Sequence, residues 1–201
     1  MPLNTVDPPI AAYEAVRSVV TGLAADSAFR TPALRRADPN ALALSTPHRI
    51  AFLPLDRLQR DDNLRTAAQV RGWRFLIHDR DRVIATTDAV LNEKGGFQFG
   101  HLNEGPFTTG TEEAIRRAER LDAVREGRFE PLLLFVPALY VAALWLQDLN
   151  GDADMLLVMS PAPQEFKPYQ PMTPQDFLAV LRRLAERART KTGKEGEPPG
   201  G

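Results

Sequence analysis

PLLLFVPALYVAALWL, residues 131–146, is a run of sixteen residues with no charge and no strongly polar side chain. Its reading decides the fold. A helix that crosses a membrane needs about 20 apolar residues. This run is shorter and contains Pro137, which would remove a helical hydrogen bond and strike the preceding turn. Short apolar runs are typed by their β-branched and aromatic content and by their flanks. Phe135, Val136, Tyr140, Val141 and Trp145 favour a pleated strand. Pro137 cannot donate to a ladder, so the run reads as strand, bulge, strand, over about 132–136 and 139–147. Apolar residues at both alternating sets require cover on both faces, from helices or another layer.

Working outward, Leu149-Asn150-Gly151-Asp152 is a hairpin turn and Met155–Met159 the returning strand. Upstream, 111–126 has a helical stripe of Ala114, Ala118, Leu121 and Val124, with Glu112 and Glu113 at its positive end. Trp73, Phe75 and Ile77 alternate along a second hairpin that turns at 79–82 and returns over 83–87. A short helix over 61–71 would stop at Gly72. Five glycines fall between 92 and 110, predicting a loop with one short strand near Phe97–His101. Prolines 32, 39 and 47 leave no room for a long element over 31–47, and 48–55 reads as extended. Ile10, Tyr13, Val16, Val20 and Leu23 lie on one face of an N-terminal helix. Thr173, Pro174 and Asp176 open the last one, whose apolar face is Phe177, Val180, Leu181, Leu184 and Ala188.

This order predicts an α+β fold, an antiparallel sheet of four to six strands with flanking helices, compatible with a PAS-, profilin- or roadblock-like order. Residues 1–60 read as a helix and an irregular segment packed on the main domain. Residues 61–189 read as the core domain, and 190–201, rich in Gly, Pro, Lys and Glu, as a disordered tail.

A length of 201 residues suits one domain, and a net charge of −1 advertises neither nucleic acid nor an anionic membrane. Of 25 basic residues only Lys94, Lys167, Lys191 and Lys194 are lysine, which reads as a biased coding composition. With no cysteine, disulfides, thiolate nucleophiles and Cys-bound zinc are excluded. The start lacks a basic segment followed by an apolar stretch, so a soluble cytoplasmic protein is expected, with no membrane partner.

Asp148, Asn150, Asp152 and Asp154 alternate with a calcium-like spacing. The segment DLNGDADMLLV resembles the Asp-x-Asn-Gly-Asp loop of FG-GAP and VCBS propeller repeats. It is about two residues short of that loop and occurs once, and Met159 stands where an EF-hand places its bidentate acid. It reads as a polar hairpin tip, and no metal is expected. Among the three histidines, His78 with Asp79 and Asp81, together with His101, are the candidates for acid/base or metal chemistry. The glycine loop lacks a phosphate-cradle pattern. Phe97, Phe99 and Phe107 could line an apolar pocket, and Tyr140 and Trp145 could meet a partner. The arginine clusters are mixed with acids and predict no nucleic-acid partner. The reading favours a non-enzymatic binding or assembly module for a protein partner or apolar ligand, without cofactor, and with self-association as one form of it. The alternative is a hydrolase or metal-assisted enzyme built on the His/Asp residues.

Overall fold

The computed structural model describes residues 3–195. The apolar run forms two adjacent strands, β5 (Phe129–Val136) and β6 (Val141–Asp148), paired antiparallel with Leu132 opposite Trp145 and Leu134 opposite Ala143. The break between them is a tight reversal and not a bulge. Pro137 opens a 3-10 turn over Pro137–Leu139, and Tyr140 closes it in the left-handed region at φ 52°. Both faces of the pair are covered. Leu133, Leu144 and Leu146 pack with Ala114 and Ala118, while Leu132, Leu134 and Trp145 pack with Phe177, Leu181 and Ala185. Each fully buried Leu contributes on the order of 2 kcal/mol, which makes this pair the anchor of the core.

Around it lie β1 (Leu42–Phe52), β2 (Gln69–Asp79), β3 (Arg82–Leu91), β4 (Phe97–Asn103), β7 (Met155–Val158) and β8 (Pro171–Met172). They form one eight-stranded sheet in the order β4-β3-β2-β1-β5-β6-β7-β8. Leu3 adds an isolated parallel bridge to Phe129. The sheet is mixed, because β1 and β5 run parallel at its centre while every other neighbouring pair is antiparallel. The expected antiparallel sheet of four to six strands, and the PAS-, profilin- or roadblock-like order with it, is therefore replaced. The physical reason lies in β1. Pro47 reads in the sequence as a break, but it falls in the register shift between Ser45 and His48, where a missing donor is tolerated. The strand continues through it into the centre of the sheet.

Among the described residues, seven helices pack on this sheet: α1 (Ile10–Ala25), α2 (Pro32–Arg36), α3 (Leu55–Arg60), α4 (Leu64–Ala67), α5 (Pro106–Ala118), α6 (Asp122–Glu126) and α7 (Pro174–Glu195). On one face, α1 covers Trp73, Phe75 and Ile77 of β2, and α7 covers Leu132, Leu134 and Trp145. On the other, α5 covers Leu133, Leu144 and Leu157. The single helix expected over 111–126 is two, since the chain leaves helical geometry between Ala118 and Asp122. Gly72 does not stop a helix; it lies within β2, where a Cβ would meet the Ala89 carbonyl oxygen at 2.1 Å. The opening of α7 is as expected: Thr173 Oγ1 accepts from the Asp176 N–H at 3.1 Å and donates to its carboxylate at 2.8 Å. That helix runs to Glu195, past the start of the expected tail at 190, whose residues 196–201 lie outside the described residues. No described helix is long and apolar enough to cross a membrane.

Candidate functional site

The register of the first four strands lines up His48, Arg74, Asp88 and His101, one on each. Directly opposed residues share a sheet face, so a polar row crosses a sheet that is otherwise apolar at this level. Arg74 donates to Asp88 in a fork, Nε to Oδ1 at 2.7 Å and Nη2 to Oδ2 at 2.8 Å. His101 Nε2 lies 3.1 Å from Asp88 Oδ2. The Arg74 and Asp88 side chains are 6% and 2% exposed, whereas His101 is 52% exposed. The paired charges are thus withdrawn from water and the histidine stands at the rim. The Phe135 ring lies 4.7 Å from the guanidinium carbon and supplies an attractive π-face.

Gly100 aims the histidine. The ladder passes from Asp88–His101 to Ala89–Phe99, so Gly100 is an extra residue in β4. A Cβ there would meet Val90 Cγ1 at 2.9 Å and the Asp88 carbonyl oxygen at 3.2 Å. Bulges of this kind bend a strand and redirect a side chain. The loop that follows is fixed by Glu104, which accepts from the N–H groups of Ala33 at 2.9 Å and Leu34 at 2.7 Å. Burial pushes the Glu104 carboxyl upward, but the neighbouring Thr31 hydroxyl, the hydrogen bonds from the Ala33 and Leu34 N–H groups and the charge of Arg36 outweigh it. They hold the group below the usual carboxylate range.

Arg74, Asp88 and His101 form one side of a cavity of about 300 Å³. Phe52, Phe107 and Phe135 supply an aromatic wall, and Tyr140, Val141 and Ala142 complete it from the β5–β6 reversal. Phe52 and Phe135 are the last residues paired across the parallel strands. There the chain leaves β1 toward β2 and β5 toward β6, in opposite directions along the sheet. Such switch points at the carboxyl ends of parallel strands open crevices by their topology. Tyr140 is 85% exposed and holds a left-handed backbone that costs a non-glycine residue about 1 kcal/mol.

Of the candidate residues of the sequence, His101, Phe107 and Tyr140 meet at this cavity, and the others are dispersed over the fold. His78 lies four residues along β2 from Arg74, roughly 13 Å away at the rise of a strand. Its Nε2 is 2.6 Å from the Ser45 hydroxyl. Asp79 and Asp81 stand at the end of that hairpin, away from His101. Phe97 and Phe99 pack with Trp73, Phe75 and Ala89 beneath α1, on the opposite face from the cavity. Phe107 and Tyr140 line the cavity. Trp145 is buried beneath α7, and its Nε1 donates to Asp154 at 3.0 Å.

The acidic loop is closed by an arginine. Asp154 is 6% exposed and accepts from the Asp148 N–H at 2.8 Å and from Arg65 Nε at 3.0 Å and Nη2 at 2.6 Å. Arg65 Nη2 also donates to the carbonyl oxygens of Asp148 at 2.8 Å and Gly151 at 3.1 Å. The guanidinium thus joins loop carbonyls and carboxylate as a bound cation would, and its hydrogen bond to Asp154, against the opposing effect of burial, favours its charged form. Among the described residues, no three His, Cys, Asp or Glu side chains are grouped to hold a metal.

Arg74, Asp88, Phe52 and Phe135 belong to no motif legible in the sequence. A regular ladder from the 79–82 turn would set Arg74 opposite Thr87; the shift between Ile77 and His78 sets it opposite Asp88 instead. The available signal is one arginine inside the apolar stretch Trp73–Ile77 and one aspartate among the buried residues of β3. No family model, curated protein or solved structure matches the chain.

Proposed function

We propose that this chain is a non-enzymatic binding module whose occupant is a compact, mainly apolar small molecule held in the cavity between α5, β2–β4 and the β5–β6 reversal. One observation carries the reading: a cavity of about 300 Å³ is lined both by aromatic side chains and by the buried, fork-paired Arg74–Asp88. Ligand pockets are mostly apolar with a few placed polar groups, and this volume is at the small end of their range. A ligand of about ten heavy atoms, at roughly 0.5 kcal/mol per atom, would bind with a sub-millimolar dissociation constant.

Tyr140 offers a test that separates binding from folding. Replacing it by glycine relieves the left-handed backbone and removes a mostly exposed ring. Tyr140→Gly should melt no lower than the parent, yet give at least fivefold weaker binding of neutral aryl fragments such as indole or 3-phenylpropanol, read by saturation-transfer NMR. Absence of binding to the parent chain, or binding unchanged in both Tyr140→Gly and Phe107→Ala, would count decisively against the pocket.

The contact between His101 and Asp88 favours a second reading, a hydrolase in which His101 activates water. Among the described residues no serine or threonine lines this cavity, so water is the nucleophile in this reading. Turnover of small esters that disappears in His101→Ala would support that reading over the first. A protein partner or self-association is proposed at the outer edge of β4, which among the described residues pairs only with β3 and contains neither lysine nor proline. A cytoplasmic setting is part of the same proposal, and a chain without cysteine is compatible with it.

A further inference from the structure

We infer that the occupant of this cavity carries a single carboxylate, seated against Arg74, with its apolar body along Phe52, Phe107 and Phe135; the inference rests on the pocket proposed above. A guanidinium has five N–H donors and stays charged. Arg74 gives two of them to Asp88, and the remaining three have no acceptor among the described residues although the side chain is 6% exposed. A buried cation with unused donors beside an open cavity calls for an acceptor from the ligand.

The charges around it select the acceptor. Asp88 already accepts from Nε and Nη2 of Arg74 and lies within hydrogen-bond distance of His101 Nε2. A cationic head group would meet the guanidinium and would have to compete with it for Asp88. A dianion such as a phosphate would bring two charges against Arg74 alone, with the Asp88 carboxylate as neighbour. A carboxylate is planar, carries one charge, and takes the parallel hydrogen bonds that an arginine fork offers. Asn103, exposed on the same cavity, has an amide to add. Phe107 places the first turn of α5 there as well, and that turn has neither a side-chain cap nor an acidic residue. The positive end of that helix favours negative charge.

Three probes of matched shape test the inference by calorimetry on the full chain at pH 7: 3-phenylpropanoate, 3-phenylpropanamide and 3-phenylpropanol. The acid should bind at least tenfold more tightly than the alcohol. Arg74→Lys keeps the charge and loses the fork; it should weaken the acid several-fold more than it weakens the alcohol. In the double variant Arg74→Met/Asp88→Leu, which buries no lone charge, the preference for the acid should vanish while the alcohol still binds. Equal affinity for all three probes, or tighter binding of a fourth, 3-phenylpropylphosphonate, than of the acid, overturns the carboxylate and leaves the pocket standing. Failure of all three to bind overturns the pocket itself.

Discussion

At the scale of single residues, the Arg74–Asp88 pair carries the largest local consequence. Taking two charges out of water costs several kcal/mol each, and the loss is offset only while both partners and their fork remain. Asp88→Leu should therefore destabilise the chain by about 3–5 kcal/mol in urea unfolding, because it leaves Arg74 buried and alone. Arg74→Met/Asp88→Leu together should fall close to the parent, as apolar replacements of whole buried pairs often do. The pair is then retained for what it does at the cavity and not for stability. If the double variant is as unstable as the single one, the pair is a structural brace and the cavity loses its argument.

At the scale of elements, register decides what is legible before the fold is seen. The turn at 79–82 and the apolar strands around 131–146 are legible because their signals are local, one in turn residues and one in burial. The position of Asp88 is not, since one extra residue in a ladder moves each later side chain by a place. Gly100 repeats the effect on β4, where the bulge brings His101 to Asp88. Phe107 and Tyr140 stand out as candidates in the sequence, but their meeting depends on the α5 start and the β5–β6 reversal, more than 30 residues apart. The parallel pairing of β1 with β5 joins segments about 80 residues apart, and no local pattern encodes it.

Another element-scale consequence concerns α2 and the loop before α5. Glu104 ties them together, and its carboxyl is held below its unfolded value. A depressed carboxylate stabilises the fold fully above the unfolded pKa, about 4.3, and loses that contribution as pH falls through the folded one. Thermal melts from pH 7 to pH 3 should show the parent more stable than Glu104→Gln near neutrality, with the gap closing below about pH 4. A gap that is constant across this range would remove the ionised tether.

At the scale of the whole molecule, two four-stranded meanders meet at the parallel β1–β5 contact. The boundary drawn at residue 60 would cut β1 away and leave Ile50 and Ala51, both fully buried, out of the centre of the sheet. A fragment of residues 61–189 should therefore lack a dispersed amide spectrum and a cooperative melt, whereas the full chain should unfold in one transition. A well-dispersed fragment would show that the second meander folds by itself. The cavity has the same dependence on the whole, because its wall takes Phe52 from the first meander and Phe135 from the second.

Amide chemical-shift mapping of the full chain titrated with 3-phenylpropanol tests the pocket most directly. Saturable shifts should cluster at Phe52, Phe107, Phe135 and Tyr140, on the α5 face of the sheet. Shifts that instead gather in the groove between α1 and β1, around Tyr13, Arg17 and Leu42, or that never saturate anywhere, would contradict it.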